Sequence, residues 1–167
     1  GWKMRRASPV RAGTEPMTTD LPLIHPHPDL AAVRALLTTA GLPVADLTAA
    51  HLDDFWACGA GEDLAGVIGL EVYGTVALLR SLAVAPDWRG RSMGSALLAH
   101  AERVARQRGV QALYLLTTTA ANFFARHGYV RIPRDTAPPV LQRTAEFAAL
   151  CPTRAVCLTK ALDTPPG

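Results

Sequence analysis

The stretch LAVAPDWRGRSMGSALL, residues 82–98, contains the features that decide the fold. An apolar run ends at Pro86, and a short turn then leads into the strongest predicted helix, Gly94 to Arg108. The turn combines cationic and flexible residues, namely Arg89, Gly90, Arg91 and Gly94. At the start of a helix the first backbone N–H groups lack partners and the helix dipole adds positive charge, while glycine lets backbone approach a ligand. We therefore predict a pyrophosphate-binding turn here, and the alternative is an ordinary glycine-containing turn.

Patterns on both sides of this stretch predict a mixed α/β fold with a parallel segment in its second half. Strands are predicted at Phe55–Cys58, Leu64–Tyr73, Val76–Ala85, Ala112–Leu116, Tyr129–Ile132 and Ala155–Leu162, with a short apolar piece at Leu21–His25. Helices are predicted from Asp29 to Gly41, over Leu47–Leu52, over Gly94–Arg108 and over Ala120–His127, with one or two helical turns at Ala145–Leu150.

Length and composition predict one domain. The chain has 167 residues and a mass of 17.8 kDa, with 49% hydrophobic and 19% charged residues, which excludes a disordered chain. No apolar run reaches the roughly 20 residues of a membrane span, and no secretory signal is visible. Residues 1–16 are polar and basic, so we expect an expression-vector remnant or a misassigned start before Met17. The domain is expected over residues 17–162, followed by a frayed tail at 163–167.

Charge and cysteine content limit the kinds of ligand and partner that the chain is expected to bind. The net charge is +3, and six arginines lie between residues 80 and 108 without a lysine-rich run or interleaved aromatics. This clustering favours a local anion site over a nucleic-acid surface. The three cysteines, Cys58, Cys151 and Cys157, lack paired spacing, so we expect neither a disulfide scaffold nor a zinc site. The same sparse set predicts a cytoplasmic protein. The pair His25 and His27 offers too few ligands for a metal.

The turn and its flanks resemble the acetyl-CoA motif of the GNAT acyltransferases. In that family the motif has Arg or Gln, two residues, Gly, one residue, then Gly or Ala; here Arg89 and Gly94 match, and Ser92 replaces the middle glycine. The segment from Asn122 to Tyr129 resembles the later helix of the family and its glycine–aromatic ending. The resemblance covers residues 20–162. It implies a sandwich whose central sheet is mixed and mostly antiparallel and splays between strands 76–85 and 112–116, with helices on both faces.

The same resemblance implies that acetyl-CoA is the co-substrate and that no metal is needed. The implied cofactor-binding residues are Leu82, Ala83, Val84, Arg89, Gly90, Arg91, Ser92, Met93, Gly94, Ser95 and Asn122. The backbone of the first three would contact the thioester and pantetheine in the gap between the splayed strands. Many relatives use a tyrosine as general acid at the position of Phe124, so Tyr73, Tyr114, Tyr129 or water would have to replace it.

A narrower resemblance is to the arsenic-resistance N-acetyltransferases. It is carried by residues 71–84, by the run YLLTTTA at 114–120, and by EFAALCP at 146–152. This branch implies acetylation of an arsenical amine and a detoxification role.

Two charged residues in apolar strands are candidates for the acceptor site. If Gly74 and Thr75 form a two-residue turn, Glu71 pairs with Leu78 and Gly69 with Arg80. Alternation then predicts one shared face for Glu71, Leu78, Arg80, Leu82 and Val84. We interpret Glu71 as the catalytic proton relay, also contacting substrate, and Arg80 as the group that binds an anion of the substrate. The alternative is a surface ion pair.

Together these observations predict an acetyl-CoA-dependent N-acetyltransferase acting through a ternary complex. The expected acceptor is a small amine that carries an anion, such as an amino acid or its arsenical or phosphinic analogue. The alternatives are a non-catalytic acyl-CoA-binding module and a GNAT enzyme with an unrelated small amine. The expected partner is the small-molecule substrate, with no nucleic acid and no membrane, and a homodimer is left open.

Overall fold

A seven-stranded sheet organises residues 21–163, the part of the chain that the computed structural model describes. The strands are β1 Ile24–Pro26, β2 Phe55–Ala60, β3 Asp63–Tyr73, β4 Val76–Val84, β5 Ala112–Thr117, β6 Val130–Ile132 and β7 Val156–Ala161. Their spatial order is β1-β2-β3-β4-β5-β7-β6, and every pair is antiparallel except β4 with β5. The predicted mixed, mostly antiparallel sheet is confirmed. The extension predicted at 1–16 and nearly all of the predicted tail lie outside the described residues.

Helices cover both faces of the sheet. The α-helices are α1 Leu30–Thr39, α2 Met93–Gln107, α3 Ala121–Arg126 and α4 Pro139–Gln142. Short 3-10 helices occupy Ala49–Asp54, Pro86–Trp88 and Arg134–Thr136, and a π-helical turn occupies Glu146–Leu150. The long predicted helix is confirmed within one residue at each end, whereas α4 was not predicted. Within residues 21–163 no helix is both long and apolar enough to cross a membrane.

The sheet separates two apolar layers. On one face, Leu97 and Leu98 of α2 pack with Ile68 of β3 and with Leu113 and Leu115 of β5. On the other face α1 packs over the first strands, because its apolar residues recur at helical spacing on a single side. The C-terminal segment covers the rest of that face. The two layers pack against the sheet from both sides. The strands part in the middle of the sheet, between β4 and β5.

Strands β4 and β5 separate after a short parallel ladder. Three residue pairs join them, Val76 with Ala112, Ala77 with Leu113 and Leu78 with Tyr114. Beyond these pairs β4 continues to Val84 and β5 to Thr117. The predicted splay is therefore confirmed. The gap leaves backbone groups on both strands without a strand partner.

A bulge in β4 changes which face of the sheet its later residues occupy, contrary to the prediction. The hairpin register is as predicted, with Glu71 opposite Leu78, but the ladder shifts between the pairs Arg80–Gly69 and Ala83–Val67. Ser81 has φ +62°, so one extra residue enters β4 here. Alternation consequently reverses beyond the bulge. The predicted shared face is correct for Glu71, Leu78 and Arg80 and wrong for Leu82 and Val84, which pack against the α2 layer.

Candidate active site

The gap between β4 and β5 forms a cleft, here called the outer cleft. Its volume is about 230 Å³, and its walls are residues 79–84 of β4, residues 115–117 of β5, Arg89, and Phe124 of α3. The predicted cofactor residues Leu82, Ala83, Val84 and Arg89 therefore line one continuous cleft. A cleft between parted strands offers backbone donors and acceptors to an extended ligand, which can bind like an added strand.

The turn from Arg89 to Ser92 borders the outer cleft through Arg89 and leads into α2. Gly90 has φ +79° and Ser92 has φ +67°, so both lie in the left-handed region. Ser92 is the residue before α2, and its side chain does not cap the helix. Arg89 donates from Nε to the carbonyl of Val84 at 3.2 Å, and the Arg91 guanidinium lies 5.0 Å from the centre of the Trp88 ring. The turn thus places two guanidinium groups beside an uncapped helix start.

The remaining predicted cofactor residues occupy different surroundings. Met93 is buried in the α2 layer, so only its backbone can meet a ligand. The hydroxyl of Ser95 lies 3.1 Å from Nε2 of His127, which ties α2 to the end of α3. Asn122 is exposed at the start of α3. A Cβ at Gly94 would make ordinary contact with the Phe123 ring at 3.5 Å, so steric space does not require glycine there.

A second cavity, here called the inner cavity, opens from the same gap. It has a volume of about 440 Å³ and shares Leu42, Arg80, Ser81, Leu116, Thr117 and Thr119 with the outer cleft. Its other walls come from residues 41–45 after α1 and from the C-terminal segment, including Glu146, Cys151 and Arg154. The bulged residue Ser81 therefore lies where the two spaces meet.

Arg80 is the buried centre of a charge cluster. Its guanidinium donates to both carboxylate oxygens of Asp46, at 2.6 and 2.9 Å, and to Glu71 at 2.7 Å. Glu146 lies 3.2 Å from the same guanidinium, and the Ser81 hydroxyl accepts from Nε at 3.1 Å. The Arg80 side chain is 0% exposed. Three carboxylates therefore surround one guanidinium group, and Glu146 is the one of them that lines the inner cavity.

This geometry changes the reading of the two predicted acceptor residues. Glu71 and Arg80 do meet, but the guanidinium already has protein acceptors and presents no exposed surface to a substrate anion. Glu71 lines a separate cleft with His51 and Tyr73, away from the gap, and it accepts a 2.5 Å hydrogen bond from the Tyr73 hydroxyl. The acid that faces the inner cavity is Glu146, which the sequence interpretation missed.

Burial and charge shift several pKa values in this cluster. Burial alone would raise the pKa of Asp46, but the hydrogen bonds and charge of Arg80 outweigh it and hold that pKa below its ordinary value. Burial raises the pKa of Glu146 to about 7, although Arg80 opposes the shift. Burial, aided by the neighbouring Glu146 carboxylate, raises the pKa of the Cys151 thiol to about 12. Cys151 is thus a neutral thiol at neutral pH, and Glu146 is the cavity group that titrates there.

The three tyrosines that could replace the missing general acid lie outside the described walls of both the outer cleft and the inner cavity. Tyr73 is bound to Glu71, and Tyr129 donates to buried Glu102 at 2.8 Å. Burial raises the pKa of both hydroxyls further above the ordinary tyrosine value. Phe124 lines the outer cleft at the position that the resemblance gives to the acid.

One group of side chains has the spacing of a metal site. Asp46, His51 and Glu71 each offer a ligand atom, and these atoms lie within 4.8 Å of one another. Both carboxylates already accept hydrogen bonds from Arg80. A guanidinium bound to the same oxygens opposes a second cation, so the donor set fits an ion-pair cluster better than a metal centre.

The family follows from comparison with known proteins. Residues 51–131 match the model of the acetyltransferase (GNAT) domain. An uncharacterised N-acetyltransferase of Chlorobaculum tepidum is 32% identical over 109 residues, which cover 64% of this chain and 67% of that protein. The chain belongs to the GNAT acetyltransferase family. An amino-acid acetyltransferase of Ralstonia nicotianae is 40% identical to this GNAT chain over 57 residues, which cover 34% of the chain and 13% of that enzyme.

Solved structures share the fold of this GNAT domain. N-acetylglutamate synthase from Neisseria gonorrhoeae, complexed with coenzyme A and L-arginine, superposes with a TM-score of 0.71 at 22% identity, over 85% of this chain and 33% of that one. A Mycobacterium tuberculosis protein in complex with CoA superposes with a TM-score of 0.70 at 21% identity, over 85% of this chain and 100% of the other. The GNAT chain thus spans about a third of the synthase and a small part of the amino-acid acetyltransferase.

Proposed function

We propose that this GNAT domain is an acetyl-CoA-dependent N-acetyltransferase for a small amine that carries an anionic group. One observation carries the proposal: the gap between β4 and β5 joins an anion-suited turn at one end to a charged inner cavity at the other. An acetyl donor entering along the gap would meet an amine held in the cavity. Direct transfer requires this meeting of two substrates in one space.

The outer cleft fits the acetyl donor. The turn from Arg89 to Ser95 would bind the pyrophosphate through the uncapped start of α2 and its guanidinium groups, with Asn122 at the rim. The backbone of residues 82–84 would hydrogen-bond the pantetheine arm in place of a strand. The bulge at Ser81 removes backbone from the ladder beside the junction, and a freed N–H there would stabilise the oxyanion of the tetrahedral intermediate.

The inner cavity fits an acceptor that carries both signs of charge. Glu146 offers a carboxylate to an ammonium group, and Arg154 lies exposed on the same cavity wall, where it would bind an acceptor carboxylate. Arg80 would support this site by holding Glu146 rather than by touching the anion. The N-acetylglutamate complex of the gonococcal synthase and the amino-acid acetyltransferase relatives are consistent with an amino-acid-like acceptor. An arsenical or phosphinic analogue, and with it a detoxification role, has the support of the sequence resemblance alone.

The test has two arms. Calorimetric titration with acetyl-CoA should give micromolar binding, and thiol release should then be measured across amino acids, their arsenical and phosphinic analogues, and neutral amines. Release with the anionic amines supports the proposal. Binding without release from any amine would favour the non-catalytic acyl-CoA-binding module that Phe124 allows, and absence of binding would overturn both.

Variants locate the donor site. Arg89→Ala should weaken acetyl-CoA binding by about 1.5 to 3 kcal/mol, the value of a hydrogen bond to a charged group. Gly94→Pro should weaken it more, because proline removes an N–H donor and adds bulk. Arg103→Ala, at an exposed position further along α2, is the matched control and should leave the affinity unchanged. Unchanged affinity in both turn variants would place the donor elsewhere.

A further inference from the structure

Glu146 combines burial with access to the acceptor space. Its residue is only 4% exposed, yet it lines the inner cavity together with Ser81 and Thr117, which the cavity shares with the outer cleft. A π-helical turn at Glu146–Leu150 holds it, and the nearby chain is fastened by Arg134, which donates to the carbonyls of Phe147 and Pro152. The carboxylate is therefore fixed beside the junction where an acetyl group and an amine would meet.

We infer that Glu146, and not Glu71, is the catalytic base that accepts the proton of the acceptor ammonium group. The inference rests on the proposed N-acetyltransferase function and adds a residue role to it. Glu71 cannot easily serve, because its two carboxylate oxygens accept from Tyr73 and Arg80 and because it lines a different cleft. Glu146 has one oxygen 3.2 Å from Arg80, while the other accepts only a long, 3.9 Å hydrogen bond from the neutral Cys151 thiol, and both residues line the inner cavity.

The charged groups around Glu146 suit a base that works near neutral pH. Arg80 faces it from β4, and Asp46 and Glu71 contact the same guanidinium. Cys151 follows the same turn, and Arg134 and Arg154 flank the segment. Burial raises the pKa of Glu146 to about 7, and Arg80 limits the rise. A base is most effective when its pKa lies near the working pH, because it is then both available and able to accept.

The proposed step balances without a tyrosine. The Glu146 carboxylate takes one proton from the bound ammonium, and the freed nitrogen lone pair forms a bond to the acetyl carbon. As the carbon–sulfur bond breaks, the second proton lost by nitrogen goes to the leaving thiolate, which departs as the thiol. Glu146 then releases its proton to solvent. The products are the N-acetylated amine, CoA and one proton, so Phe124 is no obstacle to the reaction.

The decisive experiment compares kcat as a function of pH in two glutamine variants. For the wild type at saturating acetyl-CoA and the amine found in the screen, kcat should rise with pH up to about 7, because protonated Glu146 cannot accept a proton. Glu146→Gln should lower kcat at pH 8 by about 100-fold or more and abolish this rise. Glu71→Gln should keep the rise. Loss of the rise in Glu71→Gln and its retention in Glu146→Gln would overturn the inference.

Two controls separate chemistry from folding. Asp46→Asn removes a carboxylate from the same guanidinium at a residue that does not line the inner cavity. A purely structural effect should therefore also appear in Asp46→Asn, as a lower melting temperature, while its kcat still rises with pH. Glu146→Asp should recover part of kcat. Acetyl-CoA affinity measured for Glu146→Gln should match the wild type. If the wild type acetylates no amine, the proposed function is wrong. If Glu146→Gln is active and its kcat still rises with pH, only the role inferred for Glu146 is wrong.

Discussion

Ser92 stands in a backbone conformation that disfavours its side chain. Its φ of +67° lies in the left-handed region, at the position where the acetyl-CoA motif has glycine. A non-glycine residue there costs roughly 1–2 kcal/mol. The turn keeps its shape because Arg89 and the adjoining 3-10 turn hold it. The strain is thus local, and a single substitution can measure it.

Ser92→Gly should raise the free energy of unfolding by up to about 1 kcal/mol, since relief of the strained φ exceeds the entropy that glycine adds to the unfolded chain. Urea denaturation checks this. Ser95→Gly is the matched control, because Ser95 lies inside α2 and bonds His127. The free energy of unfolding of that variant should fall by about 1 kcal/mol. Equal losses in both variants would show that the left-handed geometry carries no strain.

Arg80 is the residue on which the charge cluster depends. Arg80→Met would leave buried Glu146 and the half-buried Asp46 and Glu71 without the guanidinium that joins them. We expect the free energy of unfolding in urea denaturation to fall by about 3–5 kcal/mol. Arg106→Met, which removes a half-exposed partner of Glu102, should cost less than about 1 kcal/mol.

The cost of Arg80→Met should also depend on pH. The pKa of Asp46 is lowered on folding, so its contribution to wild-type stability is present above the ordinary carboxyl value and is lost as pH falls through its folded pKa. In the variant the carboxylates can protonate and end their mutual repulsion. The stability difference between the two proteins should therefore shrink as pH falls below about 4. A stability difference that stays constant down to pH 3 would contradict the view that repulsion among these carboxylates destabilises the variant.

At the scale of elements, the contact of β2 with β3 depends on one glycine. A Cβ at Gly69 would lie 2.3 Å from the ring of Phe55, which is 0% exposed and cannot move aside. Gly69 also faces Arg80 across the sheet. Gly69→Ala should cost about 1–3 kcal/mol through overpacking and should disturb the Arg80 cluster.

The matched control is Gly66→Ala in the same strand. Its Cβ would meet the ends of the flexible side chains of Leu97 and Met93, at 2.8 Å each. We expect a smaller loss than for Gly69→Ala in parallel thermal melts, because side-chain ends can shift whereas the Phe55 ring cannot. The opposite ranking would mean that Phe55 relaxes readily.

The elements also show how far the sequence predicts this molecule. The turn at Gly74 and Thr75 determines the register of Glu71 with Leu78, so that register could be read from residue spacing. The bulge at Ser81 could not, because no local residue pattern announces it, and every face prediction after it reversed. Sequence likewise paired Arg80 with Glu71 on one face but did not identify its partners Asp46 and Glu146, since tertiary folding brings these distant segments together.

At the scale of the whole molecule, the outer cleft, our proposed donor site, spans both halves of the sheet. Its walls come from β4 on one side and from β5 and α3 on the other. A ligand that binds only the folded form raises stability by about 2.7 kcal/mol at 100 times its Kd. Saturating acetyl-CoA should therefore raise the melting temperature of the wild type in differential scanning fluorimetry. Gly94→Pro should show a clearly smaller rise at the same concentration, and equal shifts would argue against binding at the turn.

The three residue pairs that join β4 to β5 also have a consequence for amide hydrogen exchange. They are the only direct ladder between the four-stranded and three-stranded parts of the described sheet. Amide protons that point into the gap should exchange with deuterium quickly in the free protein, while those facing β3 or β7 remain protected. An acyl donor lying along the gap would slow the first set and leave the second unchanged. Exchange rates across residues 79–84 and 115–117 would then record the occupancy of the gap amide by amide.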